Sequence, residues 1–151
     1  MGSSKAGLLA AIPVATGAIG SVIIPQIAKP QSHRAIMFFL FSVAAACTIC
    51  LIYFENSLLV GTLILLGISS RGVMPIIMLT LISLVGSKKT GAAGGLYFTA
   101  GEVGGVMGPI LLGVSADLFS GFTPGLIFLS GLCVVLSFGS TIIHTKKTTL
   151  G

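Results

Sequence analysis

The chain has 151 residues, 54% of them hydrophobic and only 7% charged, with a mean hydropathy of +1.12 and a formal net charge of +5. A soluble domain spends about a quarter of its residues on charge, so this composition excludes a water-coated globule and makes lipid the solvent for most of the surface. A basic nucleic-acid-binding domain is excluded too, because the eight Lys and Arg are scattered through short gaps between apolar runs.

Five apolar runs are predicted to be membrane-spanning helices. The first covers 7–28, an uncharged stretch about 33 Å long at 1.5 Å per residue, enough to cross a bilayer. Pro13 and Pro25 make it irregular. The leader Met1–Lys5 looks like the start of a signal peptide, but the run behind it is too long for one and more spans follow. Ala6 stands where a myristoylation signal needs Ser or Thr. The second span covers 35–54 and the third 58–85, the latter long enough to need tilt or a break. The fourth, 91–119, is long and rich in glycine, and the fifth covers 124–143. Barrel strands would alternate apolar and polar residues, and these runs are continuously apolar. The expected fold is therefore an all-α integral membrane bundle forming one transmembrane domain over 1–151. The intervening gaps, 29–34, 55–57, 86–90 and 120–123, are too short for anything but antiparallel neighbours.

Loop charge predicts the orientation. Lys29, Arg34, Lys88, Lys89, Lys146 and Lys147 fall on one side, and Lys5 falls on the other with Glu55 and Asp117. Six basic residues against one put the C-terminus in the cytoplasm of a multi-pass protein of the plasma (inner) membrane.

Two charges lie deep in the spans. Arg71 is in Gly67-Ile68-Ser69-Ser70-Arg71-Gly72, and Glu102 is in Thr99-Ala100-Gly101-Glu102-Val103-Gly104. Arg71 lies 16 residues before Ser87 and Glu102 lies 12 after Thr90, so their depths differ by only about 6 Å. A charge at the bilayer centre costs at least about 2.5 kcal/mol, so neither belongs against lipid. They fit either a buried structural pair or a substrate-binding cavity. In the cavity Arg71 holds an anion, since its guanidinium fork matches carboxylates and related oxyanions, and Glu102 serves as counter-ion or proton carrier. Backbone breakers flank both. Pro75 removes the hydrogen bond to the carbonyl of residue 71, and Pro109 does the same to Gly105. Gly101, Gly104, Gly105 and Gly108 give the G-x-x-x-G spacing of closely packed or sliding helices. The second and fifth spans hold no charge and only small hydroxyls or thiols, such as Ser42, Thr48, Ser130 and Ser137, and read as lipid-facing scaffold around the three polar spans.

Other signals are weaker. Cys47 and Cys50 are spaced C-x-x-C without a second pair, inside an apolar run, and read as small packing residues. His33 and His144 sit at membrane edges and make no metal site. No phosphate loop or nucleophile–base pair is present, so neither an enzyme nor a cofactor is expected.

The run Gly104-Gly105-Val106-Met107-Gly108-Pro109 resembles the G-x-x-x-G-P motif of the major facilitator superfamily (MFS). The following Val114-Ser115-Ala116-Asp117 resembles the helix end often seen there. The loop 25–34 sits where the family's G-x-L-A-D-R-x-G-R-R loop recurs. It keeps Ala28 and the terminal basic Arg34, while Lys29 stands in the Asp position. The resemblance covers nearly the whole chain and implies the eighth to twelfth helices of a twelve-helix MFS transporter. By that resemblance the third span lines a central cavity, the fourth packs against the other half, and the second and fifth are peripheral. It implies secondary active transport of a small solute by alternating access, the solute being anionic by the reading of Arg71, with proton symport, antiport and facilitated diffusion all left open. The chain would then be a fragment, and its partner the missing N-terminal half. The competing expectation is a five-span accessory or assembly protein that binds partner helices through the fourth span.

Overall fold

A computed structural model describes residues 3–29, 32–53, 56–86 and 89–142. They form five helices, α1 (Ser3–Ile27), α2 (His33–Tyr53), α3 (Asn56–Val85), α4 (Thr90–Phe119) and α5 (Thr123–Ile142), with no strand among the described residues. The membrane-crossing stretches are Gly7–Ile27, His33–Tyr53, Ser57–Val85, Thr90–Phe119 and Thr123–Ile142. Each lies within two residues of its predicted bounds. The chain is an all-α, multi-pass membrane protein. Glu55, Lys88, His144, Lys146 and Lys147, which entered the reading of orientation and loops, lie outside the described residues.

Where the helices stop is written in the backbone. α3 ends at Gly86, whose left-handed φ of 72° glycine adopts most easily and whose N–H returns to the Ile82 carbonyl at 3.2 Å. α4 ends at Ser120, left-handed at φ 55°, and the Gly121 N–H bonds the Ala116 carbonyl at 3.1 Å. Pro13, Pro25, Pro75 and Pro109 all lie inside continuous helices. α3 and α4 have 30 residues each and run without a break, about 45 Å of helix, a length that a bilayer takes up by tilt.

The apolar core gathers where three helices meet. Ile24 of α1, Met37 and Leu40 of α2, and Val73 and Ile76 of α3 are buried together, with Met37 and Ile76 fully enclosed. Most other large side chains, such as Phe39, Leu96, Leu118 and Phe128, lie open on the outside, where lipid belongs. Lipid is as apolar as leucine, so this core is held by packing and hydrogen bonds more than by exclusion of water.

Two unlike seams join the bundle. α1 and α3 run parallel and meet backbone to backbone through glycine. A methyl group on Gly20 would lie 2.8 Å from the Ile68 carbonyl oxygen, one on Gly67 would collide with Pro13 and Thr16, and one on Gly72 with Ile24. α2 and α5 are instead joined by hydroxyls. Ser137 donates to the Phe38 carbonyl at 3.0 Å, so the Ser42 hydroxyl, 2.8 Å away, donates to Ser137. Ser130 donates to the Ala45 carbonyl at 3.1 Å. The rings of Phe38 and Phe138 meet edge to face, 6.0 Å between centroids.

α2 therefore differs from expectation. It packs on both α3 and α5 and carries a buried stripe of Met37, Leu40, Ala44, Ala45, Cys47 and Thr48. It is the hub of this bundle, whereas α4, expected to be an inner helix, is the most exposed. The physical reason is that serine and alanine on an apolar run serve close helix contact as well as charge or proline does.

Candidate functional site

The expected site lies on the sides of α3 and α4 that the core leaves open. Around α3, Ser69, Val73, Ile76 and Thr80 are buried in the bundle. Gly67, Ile68 and Gly72 face α1. Met74 and Met78 approach α4, where the Tyr97 hydroxyl donates to the Met74 carbonyl at 2.9 Å and the Met78 methyl lies against Gly94. Arg71 falls between the side covered by α1 and the side touched by α4. Its aliphatic stem crosses Gly17, where an added methyl would meet Arg71 Cγ at 2.5 Å, and the residue is exposed. Glycine at position 17 leaves room for that stem.

α4 touches the bundle near its two ends. Gly94 and Tyr97 meet α3, and Leu112 and Ser115 meet Gly125 of α5. Between these contacts every residue from 98 to 107 is exposed, Glu102 among them. Methyl groups added at Gly101, Gly104, Gly105 or Gly108 would find nothing within 4 Å. The close-packed glycines are Gly17, Gly20, Gly67 and Gly72 of the α1–α3 seam and Gly125 of α5, not those of α4 expected to pack.

The antiparallel register follows from Met78 facing Gly94 and Met74 facing Tyr97. Extended by the same step, it brings Arg71 level with Ala100 and Gly101, and Glu102 within about 3 Å of it along the axis. The two opposite charges thus share one depth more closely than the sequence count suggested. They do not pair: among the described residues neither Arg71 nor Glu102 makes a hydrogen bond or ion pair. Pro75 leaves the Arg71 carbonyl without its helical donor, and Pro109 leaves the Gly105 carbonyl so. One level of the bundle therefore carries a cation, an anion and the freed Arg71 carbonyl in the middle of helices that cross the membrane, with the freed Gly105 carbonyl about one turn further along α4.

Three grooves among the described residues are lined by neither Arg71 nor Glu102. One of about 550 Å³ runs between α2 and α5 past Ser42, Cys50 and Ser137. Among the described residues no three His, Cys, Asp or Glu side chains gather as metal ligands. The polar groups that sequence reading passed over are the seam hydroxyls and the His33–Thr80 contact. Thr80 donates to the Ile76 carbonyl at 2.8 Å, so His33 Nδ1–H donates to Thr80 Oγ1, 3.3 Å away. Their signal was present only as small hydroxyls in otherwise apolar runs.

No protein-family profile, curated protein or solved structure matches this chain.

Proposed function

We propose that this chain forms part of a secondary transporter of the MFS type, moving a small anionic solute by alternating access. Arg71 takes the solute's negative group, and Glu102 is its countercharge or the carrier of a coupled proton. The observation that carries this reading is the pair of exposed, unpaired, opposite charges at one mid-membrane depth. Lipid cannot solvate them, so water, solute or further helices must. Helices beyond the five, corresponding to the other half of such a transporter, close over the open middle of α4, where Gly101, Gly104, Gly105 and Gly108 admit a close neighbour. The freed carbonyls beside the charges are the irregular backbone that transporters place against a cavity. Loop charge supports an orientation with the basic loops and C-terminus in the cytoplasm, and the plasma (inner) membrane is the location assigned to such a transporter.

The test is uptake by intact cells or proteoliposomes bearing the complete transporter, using a panel of radiolabelled mono- and dicarboxylates, phosphate and sulfate. A transported anion should lose uptake by about ten- to a hundredfold in Arg71→Ala, the scale of one charge-assisted contact, with membrane insertion unchanged. Arg71→Lys should recover part of the loss. Unchanged uptake in Arg71→Ala would remove Arg71 from the site. A protein that moves none of the panel yet co-purifies stoichiometrically with another membrane protein through α4 would be an accessory subunit.

A further inference from the structure

A second feature lies at the end of the bundle where α1 and α3 finish and α2 and α4 begin. A groove of about 350 Å³ runs between α2, α3 and α5, lined by Met37, Phe41, Leu81, Leu84, Leu136 and Gly139 among others. All of these lie within membrane-crossing stretches, and the lining is almost wholly apolar. From Leu84 back to Ile77 the groove is about 10 Å long. An extended hydrocarbon chain can lie along that length against the apolar lining.

The mouth of the groove carries charge. Arg34, Met37 and Phe41 follow the i, i+3, i+7 spacing of one helical stripe, so Arg34 stands one turn outward from the lining. Helical side chains lean toward the N-terminus, and for Arg34 that direction is the membrane edge. Its Nε is buried with no hydrogen-bond partner. The residue as a whole is half-buried, and among the described residues its guanidinium has no carboxylate to meet. Lys29 and Lys89 are exposed at the same end. A basic side chain with an unpartnered Nε, at the interface over an apolar slot, is complementary to a molecule with a phosphate at its head and hydrocarbon behind it.

We propose that this groove binds one anionic phospholipid, its acyl chain lying along Met37, Phe41, Leu81 and Leu84 and its phosphate accepting hydrogen bonds from Arg34. The binding is independent of transport, and it ties α2, α3 and α5 together beside the His33–Thr80 contact. A soluble anion would meet Arg34 alone and gain nothing from the groove.

The experiment is native mass spectrometry of the intact protein in detergent, delipidated and titrated with phosphatidylglycerol or with phosphatidylcholine of the same chains. The wild type should retain one phosphatidylglycerol about fivefold better than phosphatidylcholine, as expected for one interfacial basic residue. Arg34→Gln should erase that preference, and Arg34→Lys should keep it. Gly139→Leu is the second variant. A side chain at Gly139 meets open space, so the leucine fills the groove without forcing the helices apart and raises helix propensity. It should lower retention of both lipids severalfold at unchanged helicity. Three results would overturn the proposal: a preference that survives Arg34→Gln, retention unaffected by Gly139→Leu, or displacement of the lipid by equimolar glycerol phosphate, which would make this a soluble-anion site.

Discussion

Replacing Gly20 with alanine tests the α1–α3 seam. The new methyl would lie 2.8 Å from the Ile68 carbonyl oxygen, 2.9 Å from its Cα and 3.2 Å from its carbonyl carbon. All three are backbone atoms, so no rotamer change relieves the contact and the helices must separate. Such overpacking costs about 1–3 kcal/mol, and alanine returns up to about 1 kcal/mol of helix propensity. The net loss is about 1–2 kcal/mol, a factor of about 5–30 in the folded population. Gly104→Ala is the control, since its methyl finds nothing within 4 Å and should be neutral or slightly stabilising. Both are measured by circular dichroism during SDS titration of the purified protein in mild detergent. A Gly20→Ala midpoint equal to wild type, or a Gly104→Ala loss as large as that of Gly20→Ala, refutes the assignment of the close-packed seam to α1 and α3.

Three further outcomes are expected. Ser137→Ala removes the bond to the Phe38 carbonyl and the acceptor for Ser42, and should destabilise by about 1 kcal/mol in the same titration, in the range of membrane interhelical bonds; Ser42→Ala, which loses a single bond, should cost less. Tyr97→Phe deletes the hydroxyl bond to Met74 that ties α4 to α3, and should raise hydrogen exchange at the start of α4 while α2 and α5 keep wild-type protection. Cys47 is buried and Cys50 borders the open α2–α5 groove, so a membrane-permeant thiol reagent should modify Cys50 faster than Cys47, as followed by peptide mass mapping.

The helices were legible because a bilayer imposes a simple rule on sequence. Runs such as 35–54 and 124–143 are long, apolar and bounded by glycine, proline or charge, and the observed stretches His33–Tyr53 and Thr123–Ile142 follow them closely. The neighbour relations were not legible. Glycine spacing says that a backbone can be approached, not which backbone approaches, so the stripe on α4 drew attention that Gly17, Gly20, Gly67 and Gly72 merited more. Serine in an apolar run carries no charge signal, so the contribution of Ser42, Ser130 and Ser137 to the α2–α5 seam was invisible until their partners were placed. Arg71 and Glu102 were legible as unusual, because a mid-span charge is rare whatever the fold. Their shared depth came out better from the structure, since the contacts at Met74 and Met78 fix a register that loop counting only approximates.

The remaining choice, structural pair or solute site, turns on whether Arg71 and Glu102 feel one another. They lie within about 3 Å in depth, yet among the described residues no ion pair joins them. Residues in one salt bridge show coupling energies of about 0.5–3 kcal/mol, while independent ones add to within about 0.5 kcal/mol. A double-mutant cycle of Arg71→Ala, Glu102→Ala and the combined variant, read by SDS titration, should therefore be additive. The same variants in uptake should not be, because removing either member of a shared solute site removes most of what the other contributes to transport. Coupling above about 1 kcal/mol in stability, with additive effects on uptake, would reverse the assignment. The charges would then be a structural pair formed when α3 and α4 close, and the solute would have to be held by other residues.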